Sequence, residues 1–111
     1  FVEANVYDAP LAVGGRQFDV VFTSYGVLGW LPDLGRWATA AAACVRPGGF
    51  LYLAEFHPVV WMFDNDLRAL TYSYFNTGVI DEQTAGTYAD RDAPIRQDEY
   101  SWNHPLGDVL N

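Results

Sequence analysis

Two short apolar runs flank a segment of helical periodicity in the first half of the chain. The run Phe18–Thr23 is apolar at both alternating positions, which is typical of a strand covered on both faces within a parallel sheet. Asp33 then precedes apolar residues at i, i+3, i+4 and i+7 spacing, which predicts a capped helix that ends at the Pro-Gly-Gly of residues 47–49. Residues 50–56 form the second apolar run and predict a parallel partner strand. The apolar positions of the predicted helix are Leu34, Trp37, Ala38, Ala41 and Val45.

The segments outside this unit have weaker patterns. Residues 1–6 predict a strand, followed by a loop and a Gly-Gly turn. After residue 58 the composition shifts. Residues 59–63 predict a helical turn, 70–75 a strand of alternating aromatic and polar residues, 77–94 a loop or irregular hairpin, and 95–102 a returning strand. A helix then begins near the end of the chain. We expect two parts, residues 1–58 and residues 59–111.

The predicted fold class is α/β. A strand, a helix and a second strand joined by short connections predict a βαβ core, which we interpret as a partial Rossmann-like parallel sheet. An aromatic-rich irregular or β insertion follows the last core strand. Its aromatic residues predict a lid or substrate wall, and a second small core or a dimer surface is the alternative. They include Tyr72, Tyr74, Phe75, Tyr88 and Tyr100.

Composition narrows the function classes. The 111 residues are 50% hydrophobic, so we expect one domain or part of one. A formal charge of -8 with 6 scattered Lys and Arg residues argues against nucleic-acid binding. Cys44 is the single cysteine, which excludes an internal disulfide and suits a buried small residue in a reducing cytoplasm. No spacing resembles a metal site, and no apolar stretch reaches the roughly 18 residues of a membrane span.

Candidate chemistry gathers where the two predicted strands end. Gly26 and Gly29 lie in residues 24–31, the glycine loop, which follows the first strand and permits close approach of a ligand. A loop that only packs under the helix is an equal alternative. Glu55 and His57 end the second strand, and His57 could act as a general base near neutral pH. Alternatively, Glu55 and His57 satisfy each other or nearby backbone groups.

An ordered set of motifs supports a family resemblance. The segments FVEANVYDAP, FDVVFTSYGVLGWLPDL and VRPGGFLYLAEFHP resemble the central part of class I S-adenosylmethionine-dependent methyltransferases of the small-molecule type. The resemblance covers roughly residues 1–60. It implies S-adenosylmethionine as cofactor and a small-molecule methyl acceptor as partner. It also implies a central-to-C-terminal fragment without the glycine-rich cofactor loop, which we expect to bind the cofactor poorly and to be inactive alone.

The resemblance also implies roles for individual residues. Asn5 and Val6 match positions that meet the adenine, with Asp8 as the alternative acid. The methionine end of the cofactor would meet the start of the glycine loop, and two later positions would flank the cofactor or substrate. These positions are Thr23, Ser24, Tyr25 and Gly26, and then Trp30 and Leu31. His57 is the first candidate base, Tyr25 the second, and Glu55 would orient or charge His57.

Two other functions remain open from the sequence. A different nucleotide-binding α/β enzyme, such as a dehydrogenase, would share the βαβ pattern but would need its own glycine fingerprint. A non-catalytic Rossmann-like assembly or regulatory module is also compatible, because fold alone does not imply function. We expect no membrane partner, and we expect homo-oligomers to form through exposed sheet edges.

Overall fold

The structure, a computed structural model, describes residues 1–87 and 89–111. Its strands are β1 (Phe18–Thr23), β2 (Val45–Leu53), β3 (Ile80–Ala85) and β4 (Arg96–Ser101). Its α-helices are α1 (Ala9–Ala12), α2 (Leu34–Cys44) and α3 (Leu106–Leu110), and its 3-10 helices are Val6–Asp8, Leu28–Trp30 and Pro58–Met62. Tyr88, one of the predicted lid aromatics, lies outside the described residues.

β1 and β2 pair in parallel, as predicted, and α2 connects them. The register runs from Val20 opposite Phe50 to Thr23 opposite Leu53. Asp33 caps α2 as expected, because its carboxylate accepts the backbone N–H of Arg36 at 2.9 Å. The βαβ reading of this part of the sequence is therefore confirmed for its strand direction and for the start of its helix.

The Pro-Gly-Gly segment differs from the prediction. It lies within β2, where the register with β1 is irregular between Phe18 and Val20. The backbone of Gly48 has φ +81°, and a Cβ on Gly49 would lie 2.7 Å from the carbonyl oxygen of Asp19. Glycine is thus required where the backbones of β1 and β2 come closest. β2 begins at Val45 and ends at Leu53, so residues 54–57 lie beyond the strand and not within it.

α2 covers one face of the parallel pair. Leu28, Leu31, Trp37 and Ala41 form the core cluster, and Leu53 of β2 packs against it. Ala40 and Cys44 are the other buried residues of α2, while Ala38, which was predicted to face the core, is exposed. The helix thus buries a stripe shifted slightly from the predicted one, and Cys44 is the buried small residue that was expected.

The opposite face of β1 and β2 is exposed, which contradicts the prediction that both faces are covered. Val20 and Phe22 of β1 and Phe50 and Tyr52 of β2 have exposed fractions of 46 to 57%. The rings of Phe22 and Tyr52 lie 5.4 Å apart across the strands. We call these four residues the open face. The apolar pattern of β1 predicted that a second layer would cover this face. Among the described residues, no helix packs on it.

The predicted strand over residues 1–6 is also wrong. Residues 1–5 have no regular structure, and Asn5 caps the 3-10 helix Val6–Asp8 by accepting the N–H of Tyr7 at 3.0 Å. The Tyr7 hydroxyl in turn accepts the N–H of Asp33 at 3.1 Å. The side-chain cap competes with extended backbone, and Tyr7 anchors the segment at the start of α2 instead of at a sheet edge.

In the second half, β3 and β4 pair as antiparallel strands from Ile80 opposite Ser101 to Ala85 opposite Arg96. The returning strand, the helical turn after Pro58 and the terminal helix are confirmed. The predicted strand over 70–75 is not formed, and β3 lies within residues 77–94, which were predicted to form a loop or irregular hairpin. The reason is visible at Met62, whose carbonyl oxygen accepts the N–H groups of both Thr71 and Tyr72 and so bends the chain.

The architecture is a mixed helix and strand fold with a small parallel pair and a separate antiparallel pair. This confirms the α/β class in general. Two parallel strands do not by themselves form a Rossmann core, so the Rossmann-like sheet stays a prediction, as does the division at residue 58. In the part of the chain that the structure describes, no helix is both long and apolar enough to cross a membrane.

Candidate functional site

Glu55 lies just beyond β2 and holds the glycine loop. Its Oε2 atom accepts the backbone N–H groups of Val27 at 2.8 Å and Leu28 at 3.0 Å. Its Oε1 atom accepts the N–H of Phe56 at 3.0 Å. Val27 and Leu28 begin the 3-10 helix Leu28–Trp30, where backbone N–H groups lack intrahelical partners and a carboxylate is favourable. Glu55 therefore fixes the loop by two charge-assisted hydrogen bonds, and the third bond is to its own neighbour Phe56.

His57 bonds to a nearby backbone group, which is one of the alternatives that the sequence left open. No hydrogen bond joins Glu55 to His57 among the described residues. Instead, Nδ1 of His57 accepts the N–H of Val59 at 3.3 Å and caps the 3-10 helix Pro58–Met62. A neutral imidazole carries one proton, so this arrangement puts it on Nε2 and makes Nε2 a donor. The roles of His57 as a base and of Glu55 as its orienting group stay predictions, and in this tautomer Nε2 of His57 is a hydrogen-bond donor.

A cavity of about 280 Å³ lies beside these residues, at the carboxyl end of β2. The glycine loop, the 3-10 helix Pro58–Met62 and the segment after β4 line it. Its walls are mainly apolar and aromatic. The main apolar lining residues are Leu28, Leu53, Phe56, Trp61, Trp102 and Val109. Its titratable lining residues are Glu55, His57 and His104, and no Lys or Arg is among the described lining residues.

His104 is a residue that sequence reasoning missed. It is 7% exposed, and its Nε2 lies 2.7 Å from the carbonyl oxygen of Leu31. A carbonyl oxygen only accepts, so Nε2 carries the proton and Nδ1 of neutral His104 is an acceptor. The available signal was the pair of polar residues Asn103 and His104 directly after the predicted last strand.

The neighbours of His104 attach the end of the chain to both sides of the cavity. The Asn103 amide donates to the carbonyl oxygens of Trp61 at 3.1 Å and Ser73 at 2.7 Å. The N–H of Trp102 donates to the carbonyl oxygen of Gly29 at 2.8 Å. Because Asn103 is 7% exposed, these bonds are shielded from water. The aromatic insertion therefore contributes a wall of the cavity through Trp61 and Trp102.

The predicted adenine contacts lie away from this cavity. Asn5 and Val6 are exposed, and the Asn5 side-chain oxygen already accepts the N–H of Tyr7. A ligand that also bonded to that oxygen would lie on the exposed surface of the chain. The alternative acid, Asp8, lies in the same short helical turn. None of these three residues lines the cavity.

The predicted contacts in the glycine loop are spread over its exposed and buried sides. Tyr25 is 76% exposed and Trp30 is 54% exposed, whereas Leu31 is buried in the core. Thr23 pairs with Leu53 in the sheet, Ser24 is exposed, and Gly26 packs near the Phe56 ring. Only Leu28 and Gly29 of this loop reach the cavity. The described residues by themselves do not enclose a site that fits S-adenosylmethionine.

Among residues 1–87 and 89–111, no group of three or more His, Cys, Asp or Glu side chains is arranged to hold a metal ion.

The hydroxyl of Tyr72 donates a hydrogen bond to Glu82, and this bond is the main reason that the pKa of Tyr72 is raised to about 12. Desolvation and the negative charges of Glu82 and Asp64 act in the same direction.

Comparisons of the chain with protein-family models, with curated proteins and with solved structures found no match. The geometry of the cavity and the motifs of the sequence are therefore the basis for assigning a function.

Proposed function

We propose that this chain carries the acceptor-binding part of an S-adenosylmethionine-dependent methyltransferase that acts on a small molecule. The supporting observation is the position of the cavity, at the carboxyl end of a parallel strand and beside a glycine loop held by Glu55. In open α/β folds, ligands bind outside the carboxyl ends of parallel strands. The reaction class comes from the motif resemblance of residues 1–60, and a cytoplasmic location belongs to the same proposal.

The roles assigned to the chain concern the acceptor. S-adenosylmethionine would supply the activated methyl group, and the described residues do not by themselves enclose its site. The apolar walls exclude water and strengthen the few polar contacts made inside. Glu55 keeps the loop wall in place, and His57 can orient the acceptor as a donor. Tyr25 is not among the residues that line the cavity, and its role as a base stays a prediction.

Methyl transfer can be tested with the natural full-length protein. The protein is incubated with S-adenosylmethionine carrying a tritiated methyl group and with a panel of small hydroxyl and amine compounds. We expect tritium to appear in a low-mass product. Val109→Trp, which fills the cavity, should abolish the transfer, whereas Leu110→Trp, at a neighbouring position that is 75% exposed, should leave it unchanged. A folded protein that transfers no methyl group to any compound would contradict the proposal.

The open face favours a second function, that of an assembly module. Four adjacent large apolar side chains are exposed on two strands whose outer edges have no strand partner among the described residues. Contiguous exposed apolar surface and free strand edges are typical of association sites. We propose that copies of the chain self-associate through this face, with or without catalysis. The oligomeric state in solution tests this directly.

A further inference from the structure

We propose that the cavity binds an uncharged aromatic compound through a hydroxyl group, with Nδ1 of His104 as the hydrogen-bond acceptor and Nε2 of His57 as the donor. This ligand class names the methyl acceptor of the proposed reaction, and its catalytic meaning rests on that proposed function. The binding itself does not, and it can be measured without methyl transfer.

The first step of the argument is the unused nitrogen of His104. Its Nε2–H is committed to the carbonyl oxygen of Leu31 at 2.7 Å. Nδ1 has no hydrogen-bond partner in the described part of the chain, although the ring is 7% exposed and forms part of the cavity wall. Nδ1 is not among the buried, unpaired side-chain atoms of the described residues, so it stays accessible to another molecule. The cavity wall therefore offers a hydrogen-bond acceptor that a ligand donor can use.

The second step is the complementary nitrogen of His57. Its Nδ1 is occupied by the N–H of Val59, so its Nε2 carries a proton and donates at the rim of the same cavity. A hydroxyl group both donates one hydrogen bond and accepts others, and so it can satisfy His104 and His57 together. A methyl ether can only accept, and a carboxylate can only accept and is charged.

The third step concerns the rest of the ligand. The rings of Phe56 and Trp61 meet edge to face, with centroids 5.6 Å apart and an interplanar angle of 84°. With Trp102 they give the cavity an aromatic wall that suits a flat ring. A volume of about 280 Å³ is at the small end for ligand pockets, which favours one or two rings. The described lining residues include no Lys or Arg but do include Glu55, and together with the net charge of -8 this disfavours anions.

Three probes separate these features. Phenol, anisole and benzoate are titrated at neutral pH into the 111-residue chain and followed by ligand-detected NMR. We expect phenol to bind, anisole to bind about two- to tenfold more weakly because it cannot donate to His104, and benzoate not to bind. No binding of phenol, or binding of anisole as tight as that of phenol, would overturn the proposal.

A matched pair of variants assigns the two histidines. In His104→Gln, the side-chain amide can still donate to Leu31, but the Nδ1 acceptor is lost. Phenol should then bind no better than anisole, and anisole should bind as it does to the wild type. In His57→Ala, both ligands should weaken, because both accept from Nε2–H. A phenol preference that survives in His104→Gln would rule out the assigned contact.

A measurement on the unaltered protein covers the case in which His104→Gln does not fold. The chain contains 2 histidines, so their ring nitrogens can be labelled with nitrogen-15 and distinguished. Phenol should shift the Nδ1 resonance of His104, and anisole should not. An unchanged Nδ1 resonance at saturating phenol would refute the contact. If phenol binds as expected but the natural protein transfers no methyl group, the binding site stands and the methyltransferase proposal fails.

Discussion

The imidazole of His104 donates from Nε2 to the carbonyl oxygen of Leu31 at 2.7 Å, across a separation of 73 residues. This bond fixes the end of the glycine loop at Leu31, and the carboxylate of Glu55 fixes its middle at Val27 and Leu28. The loop between β1 and α2 is therefore held by two side chains that come from different halves of the chain. Both side chains also line the cavity.

Glu55→Gln should destabilise the fold. The amide retains one oxygen for the loop N–H groups, but it loses the charge and places an NH₂ group against a backbone N–H. Because hydrogen bonds to charged groups contribute about 1.5–3 kcal/mol each, we expect a loss of about 1–3 kcal/mol in the free energy of unfolding. Urea denaturation measures it, with Glu3→Gln at an exposed position as control. Equal stability of the two variants would show that the loop is held by packing alone.

His104→Ala should cost more stability than His104→Gln. The alanine variant leaves the carbonyl of Leu31 without its donor and opens space in the wall, whereas glutamine keeps a donor. We expect a loss of about 1–3 kcal/mol for alanine, measured by urea denaturation. If glutamine is as destabilising as alanine, ring packing and not the hydrogen bond to Leu31 stabilises the segment.

Tyr72 should make stability depend on pH under alkaline conditions. Its folded pKa of about 12 exceeds the ordinary value of 10.0, because the neutral hydroxyl donates to Glu82. The folded chain thus holds this proton more tightly than the unfolded chain. Its contribution is complete below pH 10.0 and is lost as the pH rises through about 12. The urea midpoint should fall more steeply over this range for the wild type than for Tyr72→Phe, with Tyr25→Phe behaving like the wild type. Parallel curves for all three proteins would contradict the assignment.

Charge on the open face should prevent self-association. Phe22 and Phe50 are 57% and 56% exposed, so replacing both by glutamate removes few intramolecular contacts while repelling a second copy. We expect the wild type to form dimers or larger species by light scattering and the double variant to be monomeric. Leu11→Glu, at a position that is 81% exposed on α1, serves as the control. A monomeric wild type at all concentrations would count against the assembly proposal.

The 111-residue chain should not bind S-adenosylmethionine with micromolar affinity. Asn5 uses its side-chain oxygen within the chain, and the predicted cofactor contacts of the glycine loop do not share an enclosed surface. Isothermal titration calorimetry measures this, with phenol as a positive control for the folded cavity. Micromolar binding would show that the exposed loop and Asn5 suffice to hold the cofactor.

Several elements could be predicted because their causes are local. Asp33 and the helical spacing that follows determine where α2 begins, and the Phe18–Thr23 run determines β1. A returning strand was likewise predicted over residues 95–102, where β4 forms. The predicted strand at residues 1–6 failed because one side-chain cap at Asn5 outweighed the extended preference. The prediction that the open face is covered was wrong, because an apolar pattern shows which residues can be buried but not whether another element packs on them.

The tertiary structure determines which residues line the cavity. Glu55 and His57 were recognised from the sequence as candidates for catalysis. In the structure their hydrogen-bond partners are backbone groups of the glycine loop and of the helical turn at Val59. His104 gained its position through a bond to Leu31 that no local pattern encodes. The sequence alone therefore determined the parallel unit and the residues able to carry chemistry. Only folding decided which nitrogen of each histidine is free, because that depends on hydrogen-bond partners brought together from distant parts of the chain.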